Sequence, residues 1–224
     1  EYREIESAIL NQQVMPSMGL IQFAGVAARS TDVCAYNCAY IAPSSIADFA
    51  EVLYVLMCGT GVGFSVETQN VQALPQIMVQ MRRAPAAPFR VSDSREGWCE
   101  ALRVGMETWF AGADITFDTA DLRPAGARLR TFGGKSSGPG PLQDLLAFTR
   151  KKILKNQGGR LSNLDCHDIL CKMGLIVVAG GVRRSAMISL SDLSDTELRD
   201  AKNGTFFHTH PHRMIANNSA VYRK

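Results

Sequence analysis

Apolar residues recur along this chain in two rhythms, and the change from one to the other sets the expected architecture. Phe49, Val52, Leu53, Leu56 and Met57 follow the three-and-four spacing that lines one face of a helix. Ser45-x-x-Asp48 ahead of them is the capping-box pattern that opens such a helix, and Gly59 closes it. Val62–Val66 then reads as a strand, so strand, helix and strand follow one another as in an α/β fold. Upstream, a short helix through Glu4–Gln12 gives way at Pro16. Cys34–Pro43 reads as extended, with Tyr36, Cys38 and Tyr40 on one face and Asn37, Ala39 and Ile41 on the other. Residues 67–92 read as a strand followed by a loop carrying Pro75, Pro85 and Pro88. Ser94 caps a predicted helix to about Phe110, and Pro141–Lys155 forms another, closed by Gly158-Gly159. Ser162-x-x-Asp165 opens a further helix through about Met173. Leu175–Ala179 predicts a buried strand, Gly180–Ser185 a turn and Met187–Leu190 a strand. Ser194-x-x-Glu197 starts a short helix ended by Gly204, and Ile215–Tyr222 is the last strand. Residues 113–140 carry little periodicity and several Gly and Pro, the mark of a long irregular segment of functional or mobile kind.

The chain has 224 residues, 46% hydrophobic and 20% charged, the composition of a globular protein with an ample core rather than a disordered one. No apolar run approaches the ~20 residues of a membrane span, and the charged first residues lack a signal peptide's apolar centre. No membrane partner is expected, and the expected compartment is the cytoplasm. The six cysteines, at 34, 38, 58, 99, 166 and 171, contain no CxxC pair. They read as reduced thiols, mostly buried, in a reducing compartment, with Cys38 set apart as a candidate for chemistry. The net charge is +3, and residues 82–160 hold 14 of the 24 basic and 8 of the 21 acidic side chains, or +6. That section suits anionic ligands but lacks the interleaved aromatics of a single-strand nucleic-acid binder, so no nucleic-acid partner is expected. The missing initiator Met, and a start inside a helical pattern, lead us to expect a piece of a longer protein.

Five segments could carry chemistry. In Gly59-Thr60-Gly61-Val62-Gly63-Phe64 the glycines let backbone approach a ligand closely. They follow a helix and precede a strand, the reverse of a dinucleotide fingerprint, and no Gly-Lys-Ser/Thr follows to make a P-loop. Gly180, Gly181, Val182, Arg183, Arg184 and Ser185 join a flexible turn to two guanidiniums suited to phosphate or a purine face. The 123–139 segment adds Arg123, Arg128, Arg130 and Lys135, with hydroxyls and glycine amides, as an anion site. His208-x-His210-x-His212 could chelate a metal, but without a nearby carboxylate or thiol the three read as solvated loop histidines, and no metal site is assigned. In Cys34-Ala35-Tyr36-Asn37-Cys38 an extended backbone would put the sulfurs ~13 Å apart, too far for a disulfide.

In order along the chain, Met15-Pro16-Ser17-Met18, Asn37-Cys38-Ala39-Tyr40, the glycine run 59–66, Ser92-Asp93-Ser94-Arg95-Glu96-Gly97-Trp98, the 123–139 segment, His167-Asp168-Ile169, Gly180–Leu190 and Ala216-Asn217-Asn218-Ser219 resemble the monomeric adenosylcobalamin-dependent (class II) ribonucleoside-triphosphate reductases. The resemblance implies part, the first half, of a ten-stranded α/β barrel with an inserted effector-binding section. The boundaries it implies are 1–66 for the first barrel strands and helix, 67–160 for the insertion, and 161–224 for the barrel continuation. It implies reduction of ribonucleoside triphosphates to 2′-deoxy products by a thiyl radical, with adenosylcobalamin as cofactor, a deoxynucleotide effector and a thioredoxin-like reductant. Cys38 matches one member of the redox pair of cysteines; Cys34 does not. Ser17, Asn37, Gly61 and Gly63 match substrate-binding positions, and Gly180–Ser185 the loop that passes effector identity to the substrate site. The Asn-x-Cys-Gly-Glu motif that supplies the thiyl cysteine is absent from the sequence, so the fragment alone is expected to be inactive. The alternative reading is a non-catalytic nucleotide-binding or regulatory module, and a third is a metal-binding protein centred on His210.

Overall fold

A computed structural model describes residues 1–80, 87–129, 134–179 and 186–222. Its elements run in the order α1 (Tyr2–Leu10), α2 (Met18–Phe23), α3 (Val26–Ser30), a 3-10 turn (Asp32–Ala35), β1 (Cys38–Ile41), α4 (Ile46–Met57), β2 (Gly61–Ser65) and α5 (Thr68–Val71). They continue with β3 (Phe89–Arg90), α6 (Arg95–Phe110), β4 (Phe117–Asp118), α7 (Gly140–Lys155), α8 (Asn163–Ala179), β5 (Met187–Asp192), α9 (Thr196–Asp200), α10 (Phe206–Thr209), a second 3-10 turn (Pro211–Ile215) and β6 (Ala216–Val221).

Among the described residues, β1, β2, β5 and β6 form a four-stranded sheet in that order, and every pairing is parallel. Parallel neighbours require crossover connections, which the helices supply. The fold is mixed α/β with a parallel sheet, as the patterning predicts. A smaller parallel pair, β3 with β4, is joined through α6. α4 packs on α6 and α8, α6 on α7, and α7 on α8. One apolar cluster runs through all of it: Phe49, Leu53, Val62 and Met187 belong to the same buried set as Leu74, Ile77, Trp109 and Leu145. Residues 67–160 therefore share their core with the sheet and its helices.

Three capping predictions hold. The Asp48 carboxylate accepts from the backbone N–H groups of Ser44 and Ser45, both at 2.8 Å. Ser94 Oγ accepts from Gly97 N–H at 2.9 Å, and Ser162 Oγ from Asp165 N–H at 3.0 Å. Each satisfies an N-terminal donor that has no partner inside its own helix.

Four expectations are corrected. Leu175–Ala179 is not a strand but the last turns of α8. Gly174 is where α8 lies against β5: a Cβ there would run into Met187 Sδ. The strand expected within 67–92 is replaced at its start by the short helix α5. Its approach is fixed by Ser65, which donates to Glu67 Oε2 at 2.8 Å and accepts from Asn70 Nδ2 at 2.9 Å. The cap of α9 is Asp195, whose Oδ1 accepts from Leu198 N–H at 2.9 Å, rather than Ser194. Finally, Cys34–Pro43 is not extended throughout: Cys34 sits buried in the first 3-10 turn, its thiol donating to Thr31 O at 3.2 Å.

Candidate functional site

The parallel register sorts the sheet's side chains into two faces. Ala39, Val62, Met187 and Ala216 lie in one transverse row, and the last three are almost fully buried beneath the helices. The intervening positions point the other way because side chains alternate along a strand. There Cys38 stands beside Gly61, and the next row reads Tyr40, Gly63, Ile188, Asn217. Cys38, Tyr40, Ile188 and Asn217 are all exposed. The strand that the sequence predicts thus places Cys38 on the face the helices leave open.

Cys38 is the exposed thiol of the six; Cys34, Cys58, Cys99, Cys166 and Cys171 are buried and free. Burial pushes the thiols of Cys99 and Cys171 up to about 12, and raises those of Cys58 and Cys166 as well. A thiol that stays protonated in an apolar surrounding is chemically inert. Accessibility therefore singles out Cys38.

The backbone around it is tied down from β2. Thr60, itself buried, donates its hydroxyl to the carbonyls of Val33 at 2.9 Å and Tyr36 at 3.1 Å. Gly61 N–H donates to Asn37 O at 3.0 Å. The structure thus brings Asn37, Cys38, Gly61 and Gly63 together. The two glycines have different neighbours. A Cβ on Gly61 would lie 3.1 Å from Ala186 O and press on the adjoining strand, whereas one on Gly63 would meet the Tyr40 ring at 3.5 Å. Ser17 is exposed at the start of α2, its carbonyl accepting from Ile21 N–H at 3.0 Å; α2 packs against the 3-10 turn that leads to β1. Gly180, Gly181, Val182, Arg183, Arg184 and Ser185 lie outside the described residues, between the end of α8 and the start of β5.

In the 123–139 segment, Arg123 Nε donates to Asp93 Oδ2 at 2.8 Å, which offsets one of the cations expected there for an anion. Arg128 and Lys135 pair as an isolated antiparallel bridge, and residues 130–133 lie outside the described set. A cavity of about 340 Å³ is lined by Phe89, Arg90, Ser92, Glu96, Gly97 and Glu100. Its two carboxylates disfavour phosphate, and Arg90 is engaged by Asp121.

The patterning misses a buried ionic cluster. Asp168 Oδ1 accepts from Arg213 Nε at 2.6 Å, and Oδ2 from Arg213 Nη2 at 2.9 Å and Lys152 Nζ at 2.7 Å. His212 Nε2 lies 3.1 Å from Oδ1. Burial alone would raise the Asp168 carboxyl, but these partners outweigh it and hold it well below the usual carboxylate range. His212 is thus buried in an ion network rather than solvated, correcting the reading of the histidine run; His208 is exposed. No three His, Cys, Asp or Glu side chains among the described residues form a metal-binding group. Beside Asp168, His167 is fully buried. Its Nδ1 sits 2.9 Å from Ser189 Oγ and its Nε2 3.5 Å from Cys171 Sγ. Burial lowers it to about 4, so it is neutral. The signal for the cluster is a His and an Asp flanked by the apolar residues Cys166, Ile169 and Leu170 in α8, which patterning registers without revealing a partner.

Comparison with known proteins bears on the chain and its fold. Residues 66–153 match the insertion domain of B12-dependent ribonucleotide reductase. The adenosylcobalamin-dependent ribonucleoside-triphosphate reductase of Euglena gracilis is 33% identical over 197 residues, covering 84% of this chain and 26% of the relative. That of Lactobacillus leichmannii is 32% identical over 207 residues, covering 77% of this chain and 28% of the relative. The chain thus spans little more than a quarter of the length of these relatives. A crystal structure of a B12-dependent (class II) ribonucleotide reductase shares the fold, with a TM-score of 0.83 at 24% identity over 97% of this chain and 37% of that one. The chain is accordingly a partial relative of the B12-dependent, class II ribonucleotide reductases, similar to them along most of its own length.

Proposed function

We propose that this chain is the portion of an adenosylcobalamin-dependent ribonucleoside-triphosphate reductase that presents the substrate-side thiol. One observation carries the reading. Cys38, the exposed cysteine, lies on the helix-free face of a parallel sheet, in register with Gly61 and one row from Gly63. A strand fixes the sulfur's direction, and side-chain-free neighbours leave room above the backbone for a sugar to approach it.

The overall reaction replaces the ribose 2′-hydroxyl with hydrogen and releases the oxygen as water. The two electrons come from two thiols, which become a disulfide. Cys38 supplies one of these thiols, and its partner is not Cys34, which points into a buried turn. Electrons return from an external dithiol of the thioredoxin kind. Ser17, Asn37 and the glycines contact the substrate, and Gly180–Ser185 relays a deoxynucleotide effector. Residues 67–160 form the effector-binding insertion. The cytoplasm, where such a dithiol is kept reduced, is the setting this reaction implies, and no helix of the described residues is long and apolar enough to cross a membrane.

Adenosylcobalamin, the cofactor in the names of the relatives, would supply the initiating radical. The residues described here do not fit as its seat. The cavity by Phe89 and Glu100 has the volume of a small-ligand site rather than a corrin and is lined by two carboxylates. We assign the face around Cys38 to substrate.

The test is turnover by the natural full-length polypeptide with adenosylcobalamin, a dithiol and ribonucleoside triphosphates. Cys38→Ser should abolish deoxynucleotide formation with the fold intact by circular dichroism. Full activity in that variant, or no deoxynucleotide from the unaltered protein, would refute the assignment.

A further inference from the structure

Tyr40 stands out on the Cys38 face. It is 57% exposed, yet its ring has a defined place. Cδ2 lies 3.5 Å from the point where a Gly63 side chain would begin, so the ring rests beside that glycine at van der Waals distance across the strand pair. Beside Gly63, which has no side chain to cover it, the ring keeps one face open to solvent.

The next residue in the row beyond Gly63 is Ile188, 47% exposed. Tyr40 and Ile188 are two strand spacings apart, ~10 Å, and Cys38 lies ~7 Å back along β1. The result is an open patch that carries an aromatic ring, an aliphatic side chain and, toward one end, a thiol. Asn217 follows Ile188 in the same row and adds an amide at the far margin. A patch of this chemistry suits a furanose ring, whose C–H face packs on apolar and aromatic surface while its hydroxyls stay free for hydrogen bonds.

We infer that Tyr40 positions the substrate ribose, its ring lying against the sugar and holding it over Gly63 with the 2′ carbon toward Cys38. This rests on the reductase reading above and extends it with a residue that reading does not use. The ring, not the phenol hydroxyl, does the positioning. Phenylalanine should therefore replace it and alanine should not.

Protection of Cys38 from alkylation tests this in the full-length polypeptide. Iodoacetamide modification of Cys38 is followed by peptide mass spectrometry, with and without a mixture of ATP, GTP, CTP and UTP. Each variant is compared with its own rate in the absence of nucleotide, so that a change in strand exposure cancels. Near-saturating nucleotide should slow modification about tenfold in the unaltered protein and in Tyr40→Phe, and no more than about twofold in Tyr40→Ala. Equal protection in Tyr40→Ala would overturn the role of Tyr40 while leaving the reductase reading in place. Loss of protection in Tyr40→Phe as complete as in Tyr40→Ala would overturn the claim for the ring. Absence of protection in the unaltered protein would overturn both.

Discussion

His167 and Asp168 are adjacent in sequence, and burial acts on them in opposite ways. His167 has few compensating charges, so burial takes it down to about 4. Between the ordinary histidine value and that one, the unfolded chain binds a proton that the folded chain does not. The stability this contributes is complete above about pH 6.5 and falls away as pH drops toward 4, by on the order of 3 kcal/mol in all. Asp168 is held below the usual carboxylate range by Arg213, Lys152 and His212 against the opposing effect of burial, so its contribution is lost only at still lower pH. We predict that urea-unfolding midpoints decline from about pH 6.5 to about pH 4, and that His167→Gln flattens this limb without affecting behaviour above it. Asp168→Asn should destabilise at neutral pH by ~3–5 kcal/mol, because it leaves Arg213 and Lys152 buried with incomplete partners. The two residues are visible in the sequence as a polar pair between apolar neighbours. The Asp168 partners, 16 residues before it and 45 after it, are set by packing that no local pattern records.

At the scale of elements, the parts written locally were legible and those depending on a neighbour were not. Ser45, Ser94 and Ser162 announce their helices because a cap is a contact between residues three apart. The last turns of α8 were misread because Leu175–Ala179 is an apolar run with a β-branched centre, too short for periodicity to separate strand from buried helix. Gly174, just before this run, lets α8 pack closely on β5, a role that the sequence alone does not show. The same reasoning yields a contrast between two glycines. A Cβ at Gly97 would fall 2.3 Å from Ser92 O, a backbone atom that cannot easily retreat, whereas Gly140 has open space around it. Thermal or urea unfolding should show Gly97→Ala destabilised by about 1–3 kcal/mol and Gly140→Ala unchanged or slightly stabilised. Equal effects at the two positions would contradict the packing described for the start of α6.

For the whole molecule, the match to an insertion domain over residues 66–153 meets a core that does not stop at those limits. Lys152, near the end of that stretch, reaches Asp165 at 2.9 Å and Asp168 at 2.7 Å in α8, pinning α7 to the helix that leads into residues 180–185. Lys152→Met should raise amide hydrogen exchange in α7 and α8 while leaving β1 and β2 protected; unchanged exchange at the seam would show that apolar packing alone holds it. The site was legible to the extent that it is written along a strand. Alternation put Cys38 and Tyr40 on one face, and register then added Gly61, Gly63 and Ile188. The direction that face looks depends on where the helices pack, which only the three-dimensional structure supplies. The most direct measurement of the central claim is therefore a single turnover. The reduced full-length polypeptide is given ribonucleoside triphosphate and adenosylcobalamin without external dithiol, and the oxidation state of Cys38 is mapped against product formed. The account predicts that Cys38 enters a disulfide in proportion to deoxynucleotide; product formed with Cys38 still a free thiol would contradict it.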